Sequence, residues 1–419
     1  MRQDTDILIV GTGQAGVQTA CDLRRRGFAG SILMVGEEPD EPYERPPLSK
    51  AYLAGHVAPE RLRLQASSFW REARIERLSG VRVTSVDPQL RTARTDDGLR
   101  LTYGKLVWAA GGGARRLDLP GGELRGVHTI RTRADADRVR EALAASRDVV
   151  IVGGGYIGLE TAASIRGLNK RVTVIEALER VLSRAVAPAM SQALETAHRT
   201  AGVSILTSTG VAALGGRDGQ VTHVELTDGR QLAADLVIVG VGLAPHEDVL
   251  AKAGAVIGDG VHVDPQCQTS LAHVFAVGDC ARQPRPSADG RSLRLESVAN
   301  AIDHGAAAAA AIVGDLLEAP ALPWFWSDQY DLRLQTAGLN GGHDEVVLRG
   351  DPATGRFSVI YLQGGRVIAL DCLNASQDFL AGKRLIAQKA RPDRSALADP
   401  RTPLKSLLQA AAGAMSRTG

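Results

Sequence analysis

A chain of 419 residues with 44% hydrophobic content is long enough for two to four domains, each with its own core. Its 49 basic and 47 acidic side chains leave a formal charge of +2, so the chain as a whole carries no electrostatic footprint for nucleic acid. The first apolar run, "ILIV" at 7–10, is too short for a signal-peptide core and no run of about 20 apolar residues follows, so a cytoplasmic location without membrane attachment is expected.

In chain order, "TDILIVGTGQAG" (5–16) reads as a buried strand running into a glycine loop, and "VQTACDLRRRGF" after it puts Val17, Ala20, Cys21 and Leu23 at helical spacing. "GSILMVGEE" (30–38) is a second strand ending in acids, which completes the opening unit of a doubly wound sheet. Gly11, Gly13 and Gly16 fit G-x-G-x-x-G: the first permits the tight turn, the second lets backbone approach a pyrophosphate, and the third lets helix pack on strand. Glu37, just past the second strand, can accept from a ribose hydroxyl. Strands of a mixed sheet are predicted at "VRVTSVD" (81–87) and "LTYGKLVWAAGG" (101–112).

The same unit returns 142 residues later in "RDVVIVGGGYIGLETAASIRGLNKRVTVIEA" (147–177), with Gly153, Gly155 and Gly158 in the loop and Glu176 closing the second strand. A carboxylate at that place favours the free ribose hydroxyl of NADH over NADPH, while Arg180 and Arg184 nearby are candidates for phosphate contact. Two dinucleotide loops in one chain point to FAD receiving hydride from a nicotinamide. Further strands are predicted in "THVELTDGRQLAADLVIVGVG" (222–242), which ends at Gly242. The last hundred residues differ: "FSVIYLQGGRVIALDCLN" (357–374) reads as two strands around a Gly-Gly turn, with helical patterns after it. The expected fold is therefore α/β, with two Rossmann-like dinucleotide-binding domains and a C-terminal α+β domain. FAD is assigned to 1–115 and 245–322, NADH to 116–244, and the third domain to 323–419.

The four cysteines, Cys21, Cys267, Cys280 and Cys372, show neither C-x-x-C nor metal-type spacing, so no metal site is expected. Nor is there a C-x4-C after the first unit or any cysteine in the second, so electrons have no protein dithiol to leave through and must leave the flavin directly. "PWFWSDQYD" (323–331) concentrates Trp324, Phe325, Trp326 and Tyr330 in a chain otherwise poor in aromatics.

Two more segments resemble signatures of two-dinucleotide flavoproteins. "LVWAAGGGARRL" (106–117) resembles the strand that crosses between domains, departing from it at Trp108 and Ala110; "TSLAHVFAVGDCA" (269–281) matches T-x5-F-A-x-G-D closely. With "RPPLSKAYLAG" (45–55), "GGGYIGLE" (153–160), "LESVANA" (295–301) and "PWFWSDQYDLRLQTAGL" (323–339), nearly the whole chain resembles the NADH-dependent ferredoxin reductases of bacterial oxygenase systems, the family of putidaredoxin and biphenyl dioxygenase ferredoxin reductases.

The resemblance implies non-covalent FAD, NADH as donor and an acidic 2Fe-2S ferredoxin as transient partner, which feeds a haem monooxygenase or a Rieske dioxygenase. It implies that Lys50 lies beside the reactive flavin nitrogen and pairs with Glu160, that Asp279 holds the ribityl chain, and that Arg45, Arg131, Val83, Ala15 and Val298 contact FAD. Glu296 is expected near the nicotinamide side of the flavin, with a buried structural glutamate as the alternative; Tyr156, Ile157 and Gly242 join the candidate NADH contacts. Pro46 and Pro47 stiffen the approach to Ser49, which is expected to cap the next helix. His304, beside the alanine run 306–311, reads as a helix residue and neither ligand nor base. One of Trp324 and Trp326 is expected to cover the flavin edge and the other to face the docking surface, with Trp326 carried as the cofactor candidate; packing of the whole cluster into a core stays open. Lys383, Arg384, Lys389, Arg391, Arg394, Arg401, Lys405 and Arg417 against Asp393 and Asp399 leave a positive surplus of six in 380–419, a candidate ferredoxin-steering face or a solvated tail. Monomer and homodimer both stay open, and an apoptosis-inducing-factor-like signalling flavoprotein is the alternative function.

Overall fold

A computed structural model describes residues 2–285, 291–315 and 320–408. The chain folds as two compact units, one from Met1–Glu44, Pro59–Gly113 and Ala244–Pro323, the other from Arg45–Ala58, Ala114–Leu243 and Trp324–Gly419.

In the first unit the predicted opening strand, Arg2–Val10, lies between Ile32–Gly36 and Arg100–Trp108, parallel to both. Ile75–Ser79 and Val274–Ala276 extend the parallel array, and the hairpin of Val83–Asp87 and Thr92–Thr95 adds an antiparallel margin. The central strands are apolar on both faces because the sheet is covered twice: Ile7, Ile9, Ile32 and Met34 join one buried cluster, Leu8, Val10, Leu33 and Val35 another. Helix Gln14–Arg25 follows the first glycine loop and carries Arg24 and Arg25 in its last turn, where they favour the negative helix end. The alanine run belongs to helix Val298–Val313, capped by the Ser297 hydroxyl and ended by Gly314 in the left-handed region. Its small side chains let it approach the first helix closely, since a Cβ on Gly305 would lie 3.0 Å from Ala15 O.

Among its described residues the second unit holds three sheets. Five parallel strands run in the order Ser204–Leu206, Arg171–Ile175, Asp148–Val152, Leu236–Val239 and Val127–Thr129. A three-stranded antiparallel sheet comprises Val211–Arg217, Gln220–Leu226 and Gln231–Ala233. The C-terminal residues form a five-stranded antiparallel sheet: Trp324–Gln329, Leu332–Gly338, Arg366–Leu373, Arg356–Gln363 and Glu345–Asp351. The predicted Gly364-Gly365 turn joins two of these strands, both glycines at positive φ as that hairpin requires. Helix Ser376–Ala387 lies on this sheet, with the Gly382 position directly over Leu370.

Candidate functional site

The two glycine loops have the same geometry. Gly11 and Gly153 sit at φ +115° and +110°, and a Cβ on either would lie 2.2 Å from Ala109 O or 2.4 Å from Gly240 O. A Cβ on Gly16 or Gly158 would lie 2.1 or 2.0 Å from the carbonyl oxygen of the first glycine, so helix and loop touch there without room for a side chain. Gly13 and Gly155 are different: each is the extended N-cap of its helix, and a Cβ there would meet nothing within 4 Å. The open position faces the first-turn N–H groups of helices Gln14–Arg25 and Tyr156–Gly167, the setting in which a diphosphate is held. Both loops thus have a backbone that fits a dinucleotide.

Around the second loop, Glu176 accepts from Gly154 N at 2.8 Å and Leu178 N at 2.9 Å, which pins its carboxylate at the mouth of the loop. Arg184 is exposed, whereas Arg180 is not available for phosphate. Its guanidinium donates to Val186 O, Ser183 O and Ser191 Oγ, and so folds the segment that carries it. Ile157 is exposed in the first turn of the helix, while Tyr156 packs its ring 4.5 Å from Phe325, and burial pushes its phenol up. Gly242 is exposed at φ +106°, its carbonyl accepting from Arg115 N.

Around the first loop, Ala15 is buried at the helix start and Val83 in its strand, and Glu37 is exposed just beyond strand Ile32–Gly36. Asp279 lies in the turn Gly278–Cys280 and Val298 opens the alanine-rich helix. Gly278 N donates to His304 Nδ1 at 3.2 Å; His304 is buried and held neutral, its pKa pushed down to about 3 by burial and by Arg285. Its place in a helix is as expected, but it also fixes the turn that presents Asp279, and composition alone gave no sign of that. Trp108 donates to His246 O at 2.7 Å, which gives the unusual indole in the crossing strand a backbone partner. Glu296 is exposed and paired with Arg294 at 2.6 Å, so it is not the buried structural glutamate considered as its alternative. The Cys280 thiol, pushed up to about 12 by burial, donates to Val277 O, and burial also raises Cys267, so neither is a thiolate nucleophile.

Lys50 and Glu160, 110 residues apart in sequence, meet in the second unit: Lys50 Nζ lies 2.7 Å from Glu160 Oε2. Glu160 is only 2% exposed. Lys50 directly follows the 3-10 turn Pro46–Ser49, which is started by its prolines and tied to helix Tyr156–Gly167 by Ser164 Oγ donating to Ser49 O. Ser49 does not cap a helix. It is the last residue of this turn and donates to Glu160 Oε2 at 2.7 Å. Arg45 Nη1 donates to Arg131 O at 2.6 Å, and Arg131 N in turn donates to Asp135, inside the Thr132–Asp135 capping box.

Opposite faces for the two tryptophans are ruled out by the strand itself. Trp324 and Trp326 are two residues apart in strand Trp324–Gln329, so they share a face and stack with centroids 5.6 Å apart. Lys383 Nζ lies 5.2 Å from the Trp324 centroid and Phe379 packs against the same ring. The other face carries Phe325 against Tyr156, Ser327 donating to Glu160 Oε1 at 2.7 Å, and Gln329. Ser327 and Gln329 were missed from sequence, although their alternation with Phe325 signals polar groups on an inward face. In the basic C-terminal stretch Arg394 pairs with Glu345 and Arg401 with Asp399, which trims the free positive charge; Arg417 lies outside the described residues. Among the described residues no helix is long and apolar enough to cross a membrane.

Comparison with known proteins gives concordant similarities. The family model described as pyridine nucleotide-disulphide oxidoreductase matches residues 5–305, and the reductase C-terminal model matches 324–408. A ferredoxin–NAD(P)(+) reductase of Sphingomonas sp. is 50% identical over 96% of this chain and 97% of its own length. The ferredoxin reductase subunit of a 5,5'-dehydrodivanillate O-demethylase from Sphingobium sp. is 48% identical over 97% of this chain and 98% of its own. Among solved structures, the reductase in the covalent putidaredoxin reductase–putidaredoxin complex superposes with a TM-score of 0.94 at 39% identity, covering 97% of this chain and 99% of that one.

Proposed function

Because the chain belongs to the pyridine nucleotide-disulphide oxidoreductase family, in its ferredoxin reductase branch, we propose that it carries electrons from NADH through FAD to a 2Fe-2S ferredoxin. The observation that carries this reading is the pair of glycine loops, each with a clash-closed turn, a clash-closed helix contact and one open glycine between them. Bound FAD would accept two electrons as hydride from NADH and release them singly to two 2Fe-2S centres, leaving NAD+ and a proton.

The residues divide the work. Gly11, Gly13 and Gly16 would hold the FAD pyrophosphate, with Glu37 on its ribose, Asp279 on the ribityl chain, and Ala15, Val83, Val298, Arg45 and Arg131 as further FAD contacts. Gly153, Gly155 and Gly158 would hold NADH, with Glu176 on the adenosine ribose, Arg184 near the phosphates, and Tyr156, Ile157, Gly242 and Glu296 on the nicotinamide side. The Glu176 carboxylate would repel a 2′-phosphate, which supports NADH over NADPH. Lys50 would set a fixed positive charge where negative charge grows as hydride arrives, and Glu160 would hold that ammonium in place. Trp326, stacked on Trp324, would border the flavin, and the basic residues of 380–408 would favour an acidic ferredoxin. In this reading 1–115 with 245–322 form the FAD domain, 116–244 the NADH domain and 323–419 the C-terminal domain, working in the cytoplasm.

The absorbance spectrum of purified protein tests the proposal. Bound flavin that NADH bleaches, followed by reduction of an added 2Fe-2S ferredoxin, is expected. Protein without flavin, or bleached flavin that passes electrons to no such ferredoxin, would refute it. Nothing in the comparisons favours the signalling alternative.

A further inference from the structure

We propose that Ser327, Gln329 and His198 are positioning residues for hydride transfer, joined in one directed chain of hydrogen bonds that locks the Glu160 carboxylate and so aims Lys50. The inference rests on the assignment of Lys50 and Glu160 above.

The chain lies wholly within the second unit. Ser327 Oγ donates to Glu160 Oε1 at 2.7 Å, Gln329 Nε2 to Ser327 Oγ at 3.1 Å, His198 Nε2 lies 2.9 Å from Gln329 Oε1, and Tyr330 OH lies 3.1 Å from His198 Nδ1. His198 and Ser327 are 0% exposed, Gln329 1% and Glu160 2%, whereas Tyr330, in the hairpin turn, is 41% exposed.

The direction follows from the carboxylate end. A carboxylate paired with an ammonium offers only acceptors, and Lys50 Nζ lies 2.7 Å from Glu160 Oε2, so the single Ser327 proton is spent on Oε1. Ser327 oxygen can then only accept, which turns the Gln329 amide nitrogen toward it and the amide oxygen toward His198. The imidazole must therefore carry its proton on Nε2, leaving Nδ1 to accept from Tyr330. Burial holds His198 neutral, as this tautomer requires. Every donor points the same way, and such chains polarise one another in a low-dielectric interior.

The geometric effect is specific. With Oε1 taken by Ser327, Oε2 alone is left for Ser49 and Lys50, so the carboxylate cannot rotate and the ammonium cannot wander. Four polar side chains can be buried to this depth because each finds a hydrogen-bond partner, and that run of partners ends on Glu160. The helix bearing Glu160 begins at the NADH loop, so the same chain registers Lys50 against that loop.

The test uses FAD-loaded protein and anaerobic stopped-flow bleaching by NADH. Ser327→Ala is expected to lower the limiting bleaching rate about tenfold, the worth of one hydrogen bond to a charged group, with apparent NADH affinity changed less than about twofold. Ser327→Thr, which keeps the hydroxyl, restores the rate. The double variant Ser327→Ala with Glu160→Gln is no slower than Glu160→Gln alone, because both act through one carboxylate. Should Ser327→Ala fail to accumulate folded, Ser327→Cys, a weaker donor of similar size, takes its place with a smaller loss. A wild-type rate for the Ser327 variant beside a slow Glu160→Gln, or losses that multiply in the double variant, would overturn the inference while leaving the Lys50–Glu160 assignment standing. A wild-type rate for Glu160→Gln would remove that assignment and the inference with it.

Discussion

Gly155→Ala separates folding from cofactor binding within one residue. Gly155 has φ −79° and ψ −177°, a conformation alanine adopts freely, and its Cβ would meet nothing within 4 Å. Two small terms oppose each other: alanine stiffens the unfolded chain, worth about 0.4–1 kcal/mol, but is a poorer N-cap than glycine by a similar amount. Net stability should therefore stay within about 0.5 kcal/mol, or roughly 2 °C in Tm. In the proposed NADH site the methyl group would stand in the space the pyrophosphate needs, and losing one charge-assisted backbone hydrogen bond costs about 1.5–3 kcal/mol, so apparent Kd for NADH should rise at least tenfold. Gly158→Ala supplies the contrast, since its Cβ would lie 2.0 Å from Gly153 O and folding itself must suffer. Thermal melts and NADH titration of the FAD-loaded proteins measure both quantities, with chemical reduction of the flavin as the control that the first loop is intact. A Gly155→Ala protein that melts like Gly158→Ala, or binds NADH as tightly as wild type, refutes the reasoning.

Asp371 is buried, with its pKa pushed up to about 7 by desolvation even though Tyr361 OH donates to it. Its folded pKa lies above the unfolded value of about 3.9, so its stabilising contribution is complete below pH 4, falls as pH rises to 7 and is gone above that. Asp371→Asn should flatten this part of the Tm–pH curve, and an unchanged slope would contradict the assignment. Arg349, 4% exposed, donates to Asp378, Asp399 O, Leu397 O and Thr402 O; Arg349→Lys cannot span these acceptors and should lose about 2–3 kcal/mol, seen as a Tm lower by roughly 5–10 °C. Raising ionic strength should slow reduction of a ferredoxin and leave a small neutral acceptor unaffected; equal responses would dismiss electrostatic steering, whose reach is already reduced by the Arg394–Glu345 pair.

The dinucleotide loops were legible because each glycine answers a constraint at a fixed offset: a positive φ, an open approach, a close contact. The parallel strands were legible as continuous apolar runs, and the Gly364-Gly365 hairpin as a turn that admits little else. Lys50 and Glu160 came from resemblance, since nothing local ties residues 110 apart. Their supports were not legible. Ser327 and Glu160 are 167 residues apart, His198 and Gln329 131, and only the tertiary fold sets such pairs together. Arg180 misled for the converse reason: an arginine near a phosphate site looks the same in sequence whether it faces the ligand or is spent on its own loop's carbonyls.

Strand Trp324–Gln329 carries two jobs on one ribbon, indoles on one side and the carboxylate's hydroxyl donor on the other. Substitution can therefore tune either job alone, but a change of length cannot. Deleting one residue between 324 and 327 would turn the pleat over, driving an indole into the buried site of Glu160 and stranding the serine among the aromatics. For this segment the spelling is open to revision residue by residue, while its parity is fixed.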